Sequence, residues 1–345
     1  MTSTSRVSIA MGTYNGARFI NEQLASLAAQ TYLPRELVIC DDRSSDETEA
    51  IVQQFAATAP FPVRFQVNET RLGFADNFLK ASLLCEGELI AFCDQDDVWY
   101  PDKLASCVEM FQSEDTLLCS HDADLCDEAG TIVGEHVTGV ASGHHGALAL
   151  KPWDIYFGFT CIFRRELLRI VDPAQRPEDD RDGRTKMSHD SWVYFIGNSL
   201  GDTAYVARRL VKYRQHASNL YGSKDLTNLQ KVRKLISEYD RYLLKYRGLA
   251  RKRAQVLASA TPPPRFAARA ATARTFWSNL ATMYDRRLQV STASRLGARS
   301  LTVLKLWKAG VYEPLSAGGV GRRAAVEDIV AALSRSLPIR AGNAG

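Results

Sequence analysis

Residues 88–104, Glu-Leu-Ile-Ala-Phe-Cys-Asp-Gln-Asp-Asp-Val-Trp-Tyr-Pro-Asp-Lys-Leu, run an apolar strand straight into three carboxylates and then into a helix start at Pro101. Anions this closely spaced repel one another. A divalent cation with oxygen ligands, Mg²⁺ or Mn²⁺, relieves that repulsion and keeps coordination positions for substrate phosphates. Asp94, Asp96 and Asp97 are therefore expected to form a metal–diphosphate site at a strand end. The plainer alternative is a solvated acidic turn in which Asp97 or Asp102 caps the next helix.

Upstream, apolar runs alternate with helical patterns. Val7–Met11, Glu36–Asp41, Val63–Val67, Glu88–Cys93 and Thr116–Ser120 read as strands. Helices are expected near Phe19–Gln30, Thr48–Ala57, Phe74–Leu84 and Pro101–Phe111. That alternation predicts an α/β fold with a mostly parallel sheet, in which ligands sit beyond the carboxyl ends of the strands. Thr13–Asn15, Asp41–Asp42 and Asp94–Asp97 all fall there.

Further along, Asp122–Glu135 reads as a hairpin turning at Glu128–Gly130, Ser142–Gly146 as a flexible loop, and Pro173–Lys186 as a mobile loop over substrate. His189-Asp190-Ser191-Trp192 opens a helix. Beyond Arg214 the composition turns to helix formers. Leu229, Val232, Ile236, Tyr239, Leu243 and Tyr246 make a helical seam, Pro262–Pro264 interrupts it, and helices are expected near Arg265–Leu288, Arg295–Lys308 and Gly321–Ser336. The organisation predicted is a catalytic domain over residues 1–220 and a basic helical region over 221–345.

The 345 residues carry 46% apolar content, enough for one substantial core and an appendage. No apolar stretch is long enough to span a membrane, and Val7–Met11 is too short for a signal peptide, so a cytoplasmic protein is expected. The seven cysteines lack Cys-x-x-Cys spacing and read as reduced core residues. Cys119, His121 and Cys126 lack a fourth ligand for zinc. The net charge of +4 hides an asymmetry: residues 1–204 hold 16 Lys/Arg against 32 Asp/Glu, and 205–345 hold 27 against 7. The basic part is expected to meet an anionic partner, a membrane surface with acidic lipids or a nucleic acid.

Val7–Gly16 is a strand leading into a small-residue turn that lets backbone approach a ligand. It lacks both the dinucleotide Gly-x-Gly-x-x-Gly and the P-loop Gly-Lys-Ser/Thr. In Glu36–Thr48, Asp41 and Asp42 end a strand, and Ser44, Ser45 and Asp46 suffice to cap the next helix. Asp42 is thereby left to accept the imide N–H of a pyrimidine base.

Thr13-Tyr14-Asn15, Asp41-Asp42-x-Ser-x-Asp46, Asn68…Gly73-Phe74…Asn77 and Asp94-Gln-Asp-Asp97 together resemble family 2 glycosyltransferases of the GT-A fold over residues 6–220. Phe-Cys-Asp-Gln-Asp-Asp-Val-Trp and the later Tyr213-Arg-Gln-His216 resemble the bacterial rhamnosyltransferase-like members. The resemblance implies donor-nucleotide contacts at Thr13, Tyr14, Asn15, Asp42, Arg71, Asn77 and Asp94. It implies metal and ribose roles for Asp94, Asp96 and Asp97. Inverting transfer also needs a base for the acceptor hydroxyl, and Asp190 at its helix start is the candidate, an N-cap being the alternative. His216 is a candidate metal or phosphate ligand, Arg214 and Arg71 candidate diphosphate partners. Trp153, Thr160 and Trp192 are candidate acceptor contacts, and Trp99 is expected to pack beneath the metal loop.

The function so predicted is metal-dependent transfer of a sugar, such as L-rhamnose from dTDP-rhamnose, from a dTDP- or UDP-linked donor to a lipid-linked or polysaccharide acceptor of the bacterial surface. The basic region would lie on the inner membrane face, with no nucleic acid involved. A nucleotidyltransferase also uses strand-end carboxylates but needs a Gly/Lys-rich triphosphate loop that is absent here. A scaffold gripping nucleic acid would keep binding without Asp94, Asp96 and Asp190, and would be strongly salt-dependent.

Overall fold

The computed structural model describes residues 6–154, 156–178, 186–216, 228–314 and 318–334, the side chains of 228–235 excepted. The first elements are β1 (Val7–Thr13), α1 (Ile20–Ala28), β2 (Glu36–Asp41), α2 (Thr48–Ala56), β3 (Val63–Val67), α3 (Phe74–Leu84) and β4 (Leu89–Cys93). Then come β5 (Val98–Trp99), α4 (Lys103–Val108), β6 (Thr116–Cys126), β7 (Ile132–His136), β8 (Gly143–His145), β9 (Ile162–Arg164), α5 (Leu167–Ile170), α6 (His189–Leu200) and β10 (Asp202–Arg214). Four helices complete the chain: α7 (Asn228–Ser259), α8 (Pro264–Thr292), α9 (Leu296–Lys308) and α10 (Arg322–Ser334).

The strand order is β3-β2-β1-β4-β9-β6-β10-β5, with β7 on β6 and β8 on β10. β3, β2, β1 and β4 run parallel, and β9 joins β4 to β6 antiparallel to both. The chain reverses its direction of travel across the sheet between β1 and β4, and ligands enter the crevice at such a switch point. β2 and β4 are buried along their whole length and β1 nearly so. Covered on both faces, they read as continuous Val/Ile/Leu/Ala/Cys runs, which is why they were legible. Their apolar side chains form one core with α1, Leu104, Cys107 and Phe111. All seven cysteines are free and buried.

Two expectations change. The first arm of the hairpin is no short run but the end of β6, which continues from Thr116 through Cys126 before turning into β7. Ser142–Gly146 contributes β8, paired antiparallel to β10 through His145, His144 and Gly143. Its side chains alternate no apolar pattern, so only the partner strand reveals it. Of Pro173–Lys186, residues 179–185 lie outside the description, and Glu178 pairs with Lys186 in an antiparallel bridge.

The chain divides into two compact units. One takes in the described residues of Met1–Asp179, Arg184–Gly222 and Thr261–Arg269, the other those of Ser223–Ala260 and Ala270–Gly345. In the second unit Tyr239 and Leu243 of the seam point inward, while the side chains of Leu229 and Val232 lie outside the description. Pro264 sits at the first position of α8, where its missing N–H costs nothing. Buried Arg287 donates to Asp328 at 2.7 Å and to Glu327 at 3.0 Å, and Tyr239 and Tyr312 donate to Asp328 at 2.6 and 2.7 Å. Full pairing is what lets these charges sit in an interior. Among the described residues no helix is long and apolar enough to cross a membrane.

Candidate active site

The ends of β1, β2 and β4 bring three loops together. After β1, Asn15 takes the left-handed conformation (φ 49°), tolerated by a short amide side chain. Its side-chain Oδ1 accepts the Ser45 amide at 2.9 Å. Gln95, the middle residue of Asp-Gln-Asp, clamps Tyr14: its Oε1 accepts the Tyr14 amide at 3.0 Å and its Nε2 donates to the Tyr14 carbonyl at 3.1 Å. A Cβ at position 16 would lie 2.3 Å from Gln95 Oε1, so Gly16 makes this clamp possible. Exposed Tyr14 carries the Arg71 guanidinium 3.8 Å over its ring, a cation–π pair that builds one wall.

Asp42 is 3% exposed. Its Oδ1 accepts Asn68 Nδ2 (3.0 Å) and the Leu72 amide (2.6 Å), its Oδ2 the Gly73 amide (2.9 Å). Burial pushes this carboxyl up, but the Leu72 amide, Asn68, the Gly73 amide and the Arg71 charge outweigh it and hold it below the ordinary range. It is ionised, and Oδ2 has one acceptor position left beside the Tyr14–Arg71 wall.

After β4 the carboxylates separate into different environments. Burial, then the charges of Asp96 and Asp190, push Asp94 up to about 8 against the pull of Lys103. Asp96 Oδ2 meets His216 Nε2 at 2.8 Å, and the His216 ring stacks on Phe19 at 5.1 Å. Asp97 is fully buried, with Oδ1 accepting the Arg214 amide at 3.1 Å and Oδ2 without a partner among the described residues.

Among the described residues no three His, Cys, Asp or Glu side chains form a ready metal cage. The donor set nevertheless suits a hard divalent cation of the Mg²⁺ kind, which is held by one or two carboxylates plus substrate phosphates. Asp94 is destabilised as an anion by its neighbours, and Asp96 with His216 presents an oxygen and a nitrogen together.

Asp190, in the first turn of α6, accepts the Ser188 hydroxyl (2.5 Å) and the Ser191 amide (2.6 Å) through Oδ1. Oδ2 has no hydrogen-bond partner among the described residues. One carboxylate oxygen is thus held in orientation at the start of the helix, and the other is open. Its charge reaches Asp94.

A family model described as "Glycosyl transferase family 2" matches residues 8–170, which contain every one of these loops except the α6 start and His216. Residues 8–170 are a glycosyl transferase family 2 domain. The chain is 29% identical over 227 residues to an uncharacterized glycosyltransferase of Nostoc sp., covering 62% of this chain and 66% of that protein, so the match spans just under two thirds of the relative's length. It is 26% identical over 228 residues to the dTDP-rhamnosyl transferase RfbG of Shigella flexneri, covering 62% and 74%. Among solved structures, S. aureus TarS 1-349 superposes with a TM-score of 0.51 at 17% identity over 97% of this chain and 93% of that one, a likeness of GT-A fold.

At several of the expected contacts the polar groups are engaged in building the loops. Thr13 is buried and donates its hydroxyl to Asp41 at 2.7 Å. Buried Asn77 donates to the Cys40 carbonyl at 2.8 Å and accepts from Asn68 at 2.8 Å. Thr160 is buried between Ser120 Oγ (2.9 Å) and the Phe157 carbonyl (2.8 Å). Trp192 is 1% exposed and packs edge-on against Phe195, so it offers no face to a sugar. Arg214 is buried, holding the Asp96 carbonyl (2.9 Å), the Glu128 carbonyl (2.7 Å) and Glu22 (2.5 Å). It braces the loop after β4. Asp97, tied to the Arg214 amide, belongs to the same brace. Trp153 is half-buried.

Sequence reasoning also missed residues. Lys103 is fully buried, donates to the Phe159 carbonyl at 2.5 Å and lies 3.6 Å over the buried Trp99 ring. Burial pushes its ammonium down to about 8. A lysine within an amphipathic helix gives no sign of being the counter-charge to a carboxylate cluster.

His189, next to the candidate base, is boxed by Phe78 (4.2 Å, near-parallel) and Phe92 (4.6 Å, edge-on), and neither ring nitrogen has a partner among the described residues. A Cβ on Gly158 would lie 2.6 Å from its Nε2. Burial pushes the imidazole from 6.5 down to about 4. The native state therefore binds fewer protons than the unfolded chain between those values, so the stability His189 confers is full above pH 6.5 and is lost as pH falls toward 4. The loss expected is about 3 kcal/mol. Urea midpoints measured across that window should fall for the wild type and fall less for His189→Gln.

Proposed function

We propose that this chain is an inverting glycosyltransferase that moves a sugar from a nucleoside diphosphate onto a lipid-linked or polysaccharide acceptor in bacterial surface-glycan synthesis, at the cytoplasmic side. The observation that supports the reading is the open Oδ2 of Asp190, a carboxylate whose charge acts on Asp94 at the end of β4, by the switch point of the sheet. L-Rhamnose from dTDP-rhamnose is the donor favoured, on the likeness to the Shigella flexneri enzyme.

The base ring lies against Tyr14 and Arg71, its imide N–H donated to Asp42 Oδ2. Asn15 and Asp94 line the nucleotide's path toward Asp96 and His216. Asp94, Asp96 and His216 would hold a divalent cation, which would supply neutralisation of the charge that grows on the leaving diphosphate. Asp190 Oδ2 takes the proton from the acceptor hydroxyl as that oxygen attacks the anomeric carbon from the face opposite the diphosphate. The bond from that carbon to the diphosphate oxygen breaks, and the nucleoside diphosphate departs. Ser188 and the Ser191 amide keep the carboxylate aimed throughout. Trp153 remains the acceptor-side candidate.

Release of nucleoside diphosphate from a panel of dTDP- and UDP-sugars, with Mn²⁺ and a lipid-linked acceptor, tests this. Arg71→Ala should weaken donor binding about tenfold by calorimetry through loss of a charge-assisted contact, with kcat little changed. Unchanged donor affinity would remove Arg71 from the nucleotide wall.

A further inference from the structure

In the second unit, α9 and α10 bury one face against each other and leave another uncovered. Inward go Val303 and Leu306 of α9 and Ala324, Ala325 and Ala332 of α10, with Val290, Val311 and Tyr312. Outward, Leu304 and Trp307 of α9 and Ile329 and Leu333 of α10 line a shared groove of about 240 Å³. These four are 52%, 51%, 42% and 54% exposed, and Val326, three residues before Ile329 on the same helix, is 60% exposed. Spacings of three and four residues put these side chains in one stripe per helix. A soluble surface seldom leaves so many large apolar groups together.

The charges around this stripe have one sign. Arg295, Lys305, Lys308, Arg322 and Arg323 are exposed. Glu327 and Asp328, the only acidic residues of α10, are drawn inward to Arg287, with Arg323 3.3 Å from Glu327. Between Arg295 and Ser334 the one exposed carboxylate among the described residues is Glu313, in the turn between the helices. Because the acidic residues are spent on the interior network, the outer face is apolar and cationic at once.

We propose that the α9–α10 face docks on an anionic lipid surface, with Leu304, Trp307, Ile329 and Leu333 entering the interface and Lys305, Lys308 and Arg322 against the headgroup phosphates. This combination is what an interfacial helix needs: apolar area for insertion, Trp at headgroup depth, and cations for acidic lipid. A second copy is the poorer occupant, since a two-fold pairing of this face would set its cations against the same cations. The inference stands apart from the sugar-transfer reading, because the face lies wholly in α9 and α10.

The test is flotation of the full chain with phosphatidylcholine vesicles, with and without phosphatidylglycerol, over a salt series. The expected result is binding to the anionic vesicles only, weakening as salt rises. Lys305→Gln with Lys308→Gln should weaken it roughly 30-fold. Leu304→Ser with Trp307→Ser should abolish it, while circular dichroism stays unchanged, since all four side chains are exposed. Absence of binding to anionic vesicles, or binding that neither pair of substitutions alters, would overturn the proposal. So would a dimer, seen by light scattering, that the Leu304→Ser/Trp307→Ser pair dissolves.

Discussion

Asp190→Asn is expected to lower kcat by roughly 10²–10⁴-fold, the range that loss of a positioned general base produces. Asparagine keeps the size of the side chain and an oxygen to accept the Ser188 hydroxyl and the Ser191 amide, so the helix start and its cap should survive. What disappears is the open carboxylate oxygen. Because that oxygen contacts the acceptor proton only as it transfers, the fall should appear in kcat with donor affinity intact. Turnover near that of the wild type would leave Asp190 as a cap alone. Lost donor binding would show that the substitution disturbed the neighbouring Asp94 rather than the proton transfer.

Asp96→Ala is expected to remove metal-dependent donor binding and to lower kcat/KM on the order of 10³-fold, since a cation at a leaving diphosphate is worth several kcal/mol. Asp96 is singled out because its carboxylate already meets His216 at 2.8 Å, while Asp97 is turned into the brace with Arg214. The same substitution removes one of the charges that raise Asp94. The two carboxylates should therefore separate by experiment: Asp97→Asn ought to loosen the loop and lower stability, and Asp96→Ala to act on metal and donor. Equal loss of metal binding in both would mean that Asp97 turns out of its buried position to serve as a ligand.

The comparison of these carboxylates also shows what a sequence can reveal. Strands buried on both faces are continuous apolar runs, so β1, β2 and β4 and the polar residues at their ends were legible, and with them the cleft. Which of those residues face the cleft was not. Thr13, Asn77 and Arg214 carry the polar groups a ligand would want, but each satisfies a backbone or carboxylate group that the loops would otherwise bury unpaired. That demand arises only when three loops distant in sequence are stacked. Gln95 was overlooked for the opposite reason, as the uncharged residue between two acids, yet its amide is what clamps Tyr14. Lys103 and His189 were hidden because burial, not residue type, makes them matter: one is an ammonium under the carboxylates, the other an imidazole in an aromatic box beside the base.

Calorimetric titration of the full chain with dTDP- and UDP-sugars, in the presence and absence of Mn²⁺, bears most directly on the central claim. One donor should bind, binding should require the cation, and Asp96→Ala should abolish it while Asp190→Asn should not. Absence of binding by every donor with Mn²⁺ present, or binding indifferent to both the cation and Asp96, would contradict that claim.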